Sequence, residues 1–382
     1  MSKLSIPLSK PEITAQDVAA VNAALKSGKL TQGPQVEALE QMVAGYVGAR
    51  FAIATNSHAT ALHTAMLAAG VTAGDEVVTS AFSFIATANC IEQCGAKPVF
   101  VDLDPISLNM EPGKVTCALT ERSKAILTVH AFGLPAESAR LCGEAETYGL
   151  SVLEDASQAL GASANGVKIG GDPRCLAAVF SFYPGCPITT GEGGMITTHD
   201  ESFAHLCRSL VNLGRGAAAP MGGGKGAGWL EHVRLGFNYR MSELSAALGV
   251  SQLTRIDETL AKRQRVADGY RGRLRALRAK LILPMEISGF QRSWSTFNLI
   301  CREGVPRERI IASLAEKGIA TERYFDPPLH LQPFYREKYG LNRGLLPLCE
   351  GVANQIFAVP FFTEMTSSEV DYVCDAIEQC LA

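Results

Sequence analysis

Two short segments carry the side chains best suited to chemistry. The first ends in Glu154-Asp155-Ala156-Ser157-Gln158, and the second, residues 181–194, reads Ser-Phe-Tyr-Pro-Gly-Cys-Pro-Ile-Thr-Thr-Gly-Glu-Gly-Gly. A buried carboxylate can keep a proton on the nitrogen of a pyridine ring, which then withdraws electrons from a bound substrate. Asp155 follows a predicted strand, so we expect it to be that carboxylate; a helix N-cap is its alternative role. Cys186 supplies a thiol, which is reactive where a cation or a helix N-terminus lowers its pKa.

A third segment could bind an anion. Asn56-Ser57-His58-Ala59-Thr60 lies between a predicted strand and a predicted helix. Main-chain N–H groups converge at such a turn and suit a phosphate dianion. Ser57, His58 and Thr60 are the candidate ligands, whereas Ala59 has no hydroxyl group to offer. His58 is large for this position, so either the loop is displaced or the histidine itself faces the anion.

The elements that must position these segments alternate between helix and strand patterns. This alternation predicts an α/β fold with a mostly parallel sheet covered on both faces. The predicted helices are Ala15–Ser27, Val36–Val47, Ser57–Ala69 and a long one, Ser242–Tyr270. The predicted strands are Phe51–Thr55, Asp75–Thr79, Pro98–Asp102, Ala125–Val129, Ser151–Glu154, Ala177–Phe182 and Gly194–Thr198. The glycine-rich run 222–228 is predicted to be a mobile surface loop.

The length of 382 residues predicts two domains. We expect residues 1–250 to form the large domain, with an N-terminal arm that packs near the second domain, and residues 251–382 to form a smaller one. A net charge of −3 gives no electrostatic reason to expect nucleic acid or an anionic membrane as a partner. No apolar run is long enough to span a bilayer, and the start lacks the pattern of a secretory signal. The 11 cysteines show no CxxC pair, which favours reduced thiols in a cytoplasm and no metal site.

Further segments complete a pattern that covers nearly the whole chain. They include Leu30-Thr31-Gln32-Gly33-Pro34, residues 95–102, Leu235-Gly236-Phe237-Asn238-Tyr239-Arg240 and His330-Leu331-Gln332-Pro333-Phe334-Tyr335. With the first two segments, they resemble the DegT/DnrJ/EryC1/StrS sugar aminotransferases, which use pyridoxal phosphate. The resemblance implies an aspartate-aminotransferase-like fold of type I, with a large, mostly parallel domain and a smaller α+β C-terminal domain. It also implies a homodimer and a small-molecule substrate resembling a nucleotide-linked keto or amino sugar.

The resemblance also implies roles for individual residues. Asp155 would face the ring nitrogen of the cofactor, Gln158 its ring hydroxyl and Phe84 the face of the ring. Ser181 would bind the phosphate, and Asn238 would reach the phosphate turn of the partner subunit. The family has a glycine and a threonine where this chain has His58 and Ala59. At position 186 it has the lysine that bonds the cofactor covalently.

Cys186 therefore leaves several functions open. One is an aminotransferase inactivated by the loss of its lysine. A second is an enzyme that uses noncovalently held pyridoxal or pyridoxamine phosphate, with Cys186 or a histidine such as His330 moving protons; this is the function we favour. A third is cofactor-free chemistry in which the thiol is a nucleophile, for example in acyl transfer. A fourth is a non-catalytic binding or scaffold role, in which the cofactor is lost.

Overall fold

A seven-stranded sheet organises the larger part of the protein. The structure is a computed structural model and describes residues 5–216 and 231–381. The first nine strands are β1 (Phe51–Thr55), β2 (Glu76–Ser80), β3 (Lys97–Val101), β4 (Ser123–Val129), β5 (Ser151–Asp155), β6 (Ser163–Ala164), β7 (Val167–Lys168), β8 (Ala177–Ser181) and β9 (Gly194–Thr198). The large sheet has the order β1-β9-β8-β5-β4-β2-β3. Strand β9 runs antiparallel to both of its neighbours, and the remaining neighbours in this sheet are parallel.

The strands of this sheet are buried along nearly their full length. Every residue of β2, β8 and β9 is buried, which explains why, apart from Glu76 at the start of β2, their sequences are continuous apolar or small runs rather than alternating ones. In a parallel sheet the carboxyl ends of the strands meet along one edge, where open α/β folds bind ligands. The mostly parallel α/β prediction is confirmed.

Helices cover the sheet and continue into the C-terminal part. They are α1 (Ala15–Lys26), α2 (Pro34–Val47), α3 (His58–Ala68), α4 (Ile85–Gln93), α5 (Pro112–Cys117), α6 (Ser138–Glu146), α7 (Glu201–Val211), α8 (Glu243–Leu253), α9 (Ile256–Arg273), α10 (Arg307–Glu316), α11 (Pro333–Tyr339), α12 (Pro347–Gln355) and α13 (Ser367–Leu381). The carboxylate of Glu243 accepts hydrogen bonds from the main-chain N–H groups of Gly33, Gln35 and Val36. These N–H groups lack partners within helix α2, so Glu243 ties the start of α2 to α8.

The prediction of one long helix over Ser242–Tyr270 is wrong. The chain forms two helices, α8 and α9, with Thr254 and Arg255 between them. Arg255 leaves the helical conformation, at φ −122° and ψ 21°. Its guanidinium group donates to both carboxylate oxygens of Asp17 on α1, at 2.9 and 2.6 Å. The helical pattern of the sequence is continuous here, and the break coincides with a bond to a residue far away in the chain.

The C-terminal part has its own sheet and its own core. Strands β10 (Leu281–Ile282), β12 (Phe297–Cys301) and β13 (Ile356–Val359) form an antiparallel sheet, while β11 (Phe290–Gln291) pairs with β6. Tyr270, Phe297 and Ile377 lie in one buried cluster that joins this sheet to α9 and α13. The predicted α+β character of the C-terminal part is confirmed.

The N-terminal arm lies against this C-terminal part. Ile6, which is 1% exposed, donates its N–H to Gly318 and accepts from the N–H of Ala320. The carbonyl of Leu8 accepts from the N–H of Phe361 at 2.9 Å. The domain boundary near residue 250 stays a prediction, and the glycine-rich run 222–228 lies outside the described residues. Within residues 5–216 and 231–381, no helix combines the length and apolarity needed to cross a bilayer.

Candidate functional site

The carboxyl edge of the large sheet carries several predicted site residues. Asp155 is the last residue of β5, and Ser181 is the last residue of β8, the parallel neighbour of β5. Phe84 is the N-cap of α4, four residues beyond the end of β2. Parallel pairing therefore brings residues far apart in sequence to one edge, as the strand pattern predicts.

Asp155 is the most constrained polar group at this edge. Its side chain is 1% exposed. Oδ2 accepts a hydrogen bond from the Thr87 hydroxyl at 2.6 Å, and Oδ1 accepts from the Ser157 N–H at 3.2 Å. Nε2 of His58 lies 3.0 Å from Oδ1. Both oxygens thus have protein partners, and three separate segments of the chain supply them.

These partners keep Asp155 ionised in spite of its burial. Burial alone raises the pKa of a carboxyl group, because the charged form loses its hydration. The charge and hydrogen bond of His58, with the hydrogen bonds of Thr87 and Ser157, outweigh burial and lower the pKa of Asp155 to about 2. Asp155 is therefore a carboxylate at neutral pH.

The predicted phosphate turn begins α3. Ser57 is the N-cap: its hydroxyl accepts from the N–H of Thr60, and its own N–H donates to the Thr60 hydroxyl, both at 3.2 Å. The Thr60 hydroxyl also donates to Oδ1 of Asn56 at 2.7 Å. The hydroxyl groups of Ser57 and Thr60 are therefore engaged in capping the helix. The N–H groups at the next two positions, His58 and Ala59, have no partner in the first turn of the helix, the usual condition at an anion-binding N-terminus.

The ring of His58 points along the site to Asp155. Its side chain is 12% exposed. The sequence leaves two interpretations of this residue open, a displaced loop or a histidine facing the anion. The structure gives a third arrangement, in which the turn is intact and the ring is bonded to the carboxylate.

Cys186 and Asp155 are both hydrogen-bonded to the main chain of Ser157. The thiol of Cys186 donates to the carbonyl of Ser157 at 3.5 Å, and the N–H of the same Ser157 binds Asp155. Burial raises the pKa of the Cys186 thiol, and the Ser181 hydroxyl and the charge of Arg263 offset this only in part. The group at position 186 is thus a protonated thiol at neutral pH.

Arg263 of α9 holds the loop that carries Cys186. This arginine is 3% exposed, and burial lowers its pKa to about 10. Its guanidinium group donates to the carbonyl groups of Gly185, at 3.1 Å, and Ser295, at 2.8 Å. It also donates to the Trp294 carbonyl and to the Thr363 hydroxyl. A buried cation therefore anchors the main chain next to Cys186 to the C-terminal part.

The remaining predicted residues differ in how well they fit the site. Gln158 follows the β5 edge and is half-buried, and the Phe84 side chain is 62% exposed at the sheet edge. Asn238 is exposed, and its carbonyl accepts from the side chain of Asn56 in the phosphate turn at 3.5 Å. Its role across a subunit interface stays a prediction.

His330 does not join this group of residues. It is fully buried, and its Nε2 lies 3.0 Å from Glu350. Burial lowers the pKa of His330, although Glu350 opposes this. A role of His330 in proton transfer stays a prediction; its Nε2 is bonded to a carboxylate in the interior.

Sequence reasoning missed Thr87 and Arg263. Thr87 lies three residues after the Phe84 N-cap of α4, so its hydroxyl projects from the first turn towards Asp155. Neither residue stands in a motif that indicates a function. The sequence offers one indication for Arg263: no carboxylate stands three or four residues before or after it on the helix, so its partners must lie elsewhere in the chain. In the described parts of the chain, no three histidine, cysteine, aspartate or glutamate side chains are grouped to hold a metal ion.

The fold and the sheet-edge carboxylate define the class of type I pyridoxal-phosphate aminotransferases. The DegT/DnrJ/EryC1/StrS aminotransferase family matches residues 11–378, and the chain belongs to this family. It is 36% identical over 372 residues to the pleiotropic regulatory protein of Geobacillus stearothermophilus, covering 97% of this chain and 94% of that protein. It is 35% identical over 379 residues to the spore coat polysaccharide biosynthesis protein SpsC of Bacillus subtilis, covering 97% and 96%.

The structural comparison gives the same class. DesV of S. venezuelae, solved in complex with a ketimine intermediate, is similar to this chain with a TM-score of 0.90 and 29% identity. The likeness covers 99% of both chains. The type I fold prediction is therefore confirmed.

Proposed function

We propose that this protein holds pyridoxal or pyridoxamine phosphate without a covalent bond and acts on a sugar that carries a keto or amino group. The observation that carries the proposal is the buried, ionised Asp155 at the carboxyl edge of β5. A buried charge is costly unless it is paired and hydrogen-bonded, and the protonated nitrogen of a pyridine ring would be such a partner. The name of SpsC, a polysaccharide biosynthesis protein, supports a sugar as the substrate class.

The side chains at the sheet edge fit such a cofactor. Asp155 would face the ring nitrogen, Phe84 the ring face and Gln158 the ring hydroxyl. The phosphate would be bound by the N–H groups at the start of α3, by the Ser181 hydroxyl and by Asn238 of a partner subunit. When bound, the protonated ring withdraws electrons from the substrate and makes a neighbouring carbon more acidic.

Cys186 limits what the site can do with that cofactor. A thiol forms no imine, so the cofactor would be held by hydrogen bonds and packing alone. Because burial keeps the thiol protonated, Cys186 can donate a proton at neutral pH but is a poor acceptor. The same protonation argues against Cys186 as the nucleophile of a cofactor-free enzyme, since the thiolate is the reactive form.

A non-catalytic role is the second candidate. The specific observation in its favour is His58, whose ring is bonded to the carboxylate that the cofactor would use. The relative from Geobacillus stearothermophilus carries the name of a regulatory protein. An inactivated aminotransferase would share the same geometry.

Equilibrium titration of the purified protein tests the proposal. Pyridoxal phosphate and pyridoxamine phosphate are each added, and binding is followed by absorbance and by tryptophan fluorescence. We expect both to bind reversibly, and Asp155→Asn to weaken binding about 100-fold because the ring loses its charged partner. Asp371→Asn is the matched control, since Asp371 is half-exposed on α13 and pairs with Arg273.

A gain of function gives an independent measurement. Cys186→Lys should attach pyridoxal phosphate covalently, detected by mass spectrometry after borohydride reduction. The native protein should show no increase in mass at position 186 after the same treatment. If Cys186→Lys and the native protein both bind neither cofactor form, the proposal is wrong and the non-catalytic role is favoured.

A further inference from the structure

A ring nitrogen of the protein itself lies beside Asp155. Nε2 of His58 lies 3.0 Å from Oδ1, which is ordinary hydrogen-bond geometry. Since a carboxylate accepts hydrogen bonds, the proton of this bond is on Nε2. An aromatic N–H therefore donates to Asp155, and the N–H of a protonated pyridine ring would have to make the same kind of bond.

The two other partners of Asp155 leave little room for a second ring. The Thr87 hydroxyl takes Oδ2 at 2.6 Å, and the Ser157 N–H shares Oδ1 with the histidine at 3.2 Å. Ser157 bonds through a main-chain N–H just after β5, so it cannot leave without moving the main chain. Thr87 of α4 is 0% exposed, and its hydroxyl is also hydrogen-bonded to the Ser83 hydroxyl at 2.7 Å, which holds it in place. His58 bonds through the long side chain of the first residue of α3, which is partly exposed and can rotate towards solvent.

His58 is also the most loosely held of the three partners. Of the two ring nitrogens of His58, only Nε2 has a hydrogen-bond partner among the described residues. Its side chain is 12% exposed, compared with 1% for Asp155. A rotation of this side chain breaks one bond and leaves no buried polar group of the histidine behind, so departure of the ring is possible without unfolding α3.

We propose that His58 is a displaceable internal occupant of the position beside Asp155, and that a pyridine-type cofactor binds by replacing its ring. This inference rests on the proposed function. His58 then sets the affinity of the site: it stabilises Asp155 in the cofactor-free protein and competes with the ring that the site binds. Cofactor binding replaces one charge-assisted hydrogen bond to Asp155 with another. The free energy of binding is therefore smaller than it would be at a site without His58.

Removal of the competing ring should raise affinity. A hydrogen bond to a charged group contributes enough to change a dissociation constant about 10- to 100-fold. We expect His58→Ala to lower the dissociation constant of pyridoxamine phosphate by that factor. His58→Gln keeps a neutral donor of similar reach, so its affinity should lie between those of the native protein and His58→Ala.

Pyridoxamine phosphate is the probe because it forms no covalent bond with the protein, and inorganic phosphate is the second probe. His58→Ala should leave the affinity for inorganic phosphate unchanged if the ring serves Asp155. Weaker phosphate binding by His58→Ala would mean that the histidine faces the anion, which overturns the inference. His205→Ala is the control variant, because His205 is an exposed histidine on α7.

Nuclear magnetic resonance gives a readout independent of affinity. In the native protein, the ring ¹⁵N signals of His58 should shift on addition of pyridoxamine phosphate and those of His205 should not. Equal affinities of the native protein and His58→Ala would overturn the inference and leave the proposed function standing. No binding by the native protein, His58→Ala or Cys186→Lys would instead overturn the proposed function, and the inference with it.

Discussion

Strand β5 ends in two consecutive carboxylates, Glu154 and Asp155, and each has a histidine partner. Nε2 of His130 lies 3.2 Å from Glu154, and Nε2 of His58 lies 3.0 Å from Asp155. Side chains of neighbouring strand residues point to opposite faces of the sheet, so the two pairs lie on opposite sides of β5. Both are histidine–carboxylate pairs, but their hydrogen bonding and their surroundings differ.

The His130–Glu154 pair is fully buried, and a main-chain group holds the other nitrogen of the His130 ring. Nδ1 of His130 accepts a hydrogen bond from the N–H of Ala136 at 2.9 Å. The side chains of His130 and Glu154 are 0% and 1% exposed. The proton of the ring is therefore on Nε2, towards Glu154. The ring of His58 has one hydrogen bond, to Asp155, and its side chain is partly exposed. The comparison teaches that burial and the second ring nitrogen, and not the pairing itself, distinguish a structural histidine from an exchangeable one.

His130→Ala should have the largest effect on stability. Removing one partner of a buried pair leaves an uncompensated charge and costs about 3–5 kcal/mol. His58→Ala should cost about 1–2 kcal/mol, because Asp155 keeps Thr87 and Ser157 and water can enter. Urea unfolding monitored by circular dichroism measures both free energies of unfolding. Equal losses in the two variants would contradict the distinction between a fixed and an exchangeable histidine.

The pH dependence of stability tests how firmly Asp155 is held. Its pKa is about 2 in the folded protein, against about 3.9 in an unfolded chain. The unfolded chain therefore binds more protons, so Asp155 stabilises the fold above pH 4, by about 2–3 kcal/mol, and this contribution is lost as the pH falls from about 4 to about 2. Asp155→Asn should thus be less stable than the native protein at pH 7, with the difference shrinking below pH 4. A difference that stays constant with pH would show that the charge of Asp155 is not stabilised.

Cys186→Ala should have the smallest effect. The thiol makes one long hydrogen bond to the Ser157 carbonyl, at 3.5 Å, and Arg263 holds the neighbouring main chain. We expect the free energy of unfolding to change by less than about 1 kcal/mol, since one partly buried sulfur atom is removed. The ring ¹⁵N signals of His58 should stay unchanged as well. A shift of those signals would show that the thiol helps to position the pair.

The sequence predicted the sheet well because its strands are short, buried and bounded by turn residues. Phe51–Thr55 and Gly194–Thr198 were predicted to the residue, and the other five predicted strands were displaced by one or two residues. Asp155 could be placed because a residue at the end of a parallel strand reaches the ligand edge in any such sheet. The break between α8 and α9 could not be predicted, because it coincides with an ion pair between Arg255 and Asp17, more than 200 residues away.

The side-chain contacts within the site were the least predictable part. His58 was expected to shift the turn or face an anion, and its bond to Asp155 joins residues 97 positions apart. His330 has a residue type suited to proton transfer, but its burial and its bond to Glu350 depend on the packing of the C-terminal part. Pattern and spacing indicate which residues lie near an edge, whereas rotamers and competing partners decide which of them touch.

The anchoring of Gly185 by Arg263 has a consequence for how this chain can evolve. The guanidinium group binds main-chain oxygen atoms, so the position of the loop does not depend on which side chain follows Gly185. A lysine and a cysteine at position 186 are therefore compatible with the same fold. We therefore expect a substitution at position 186 to change the chemistry of the site and leave the fold intact, so this position can vary in evolution without loss of the folded protein.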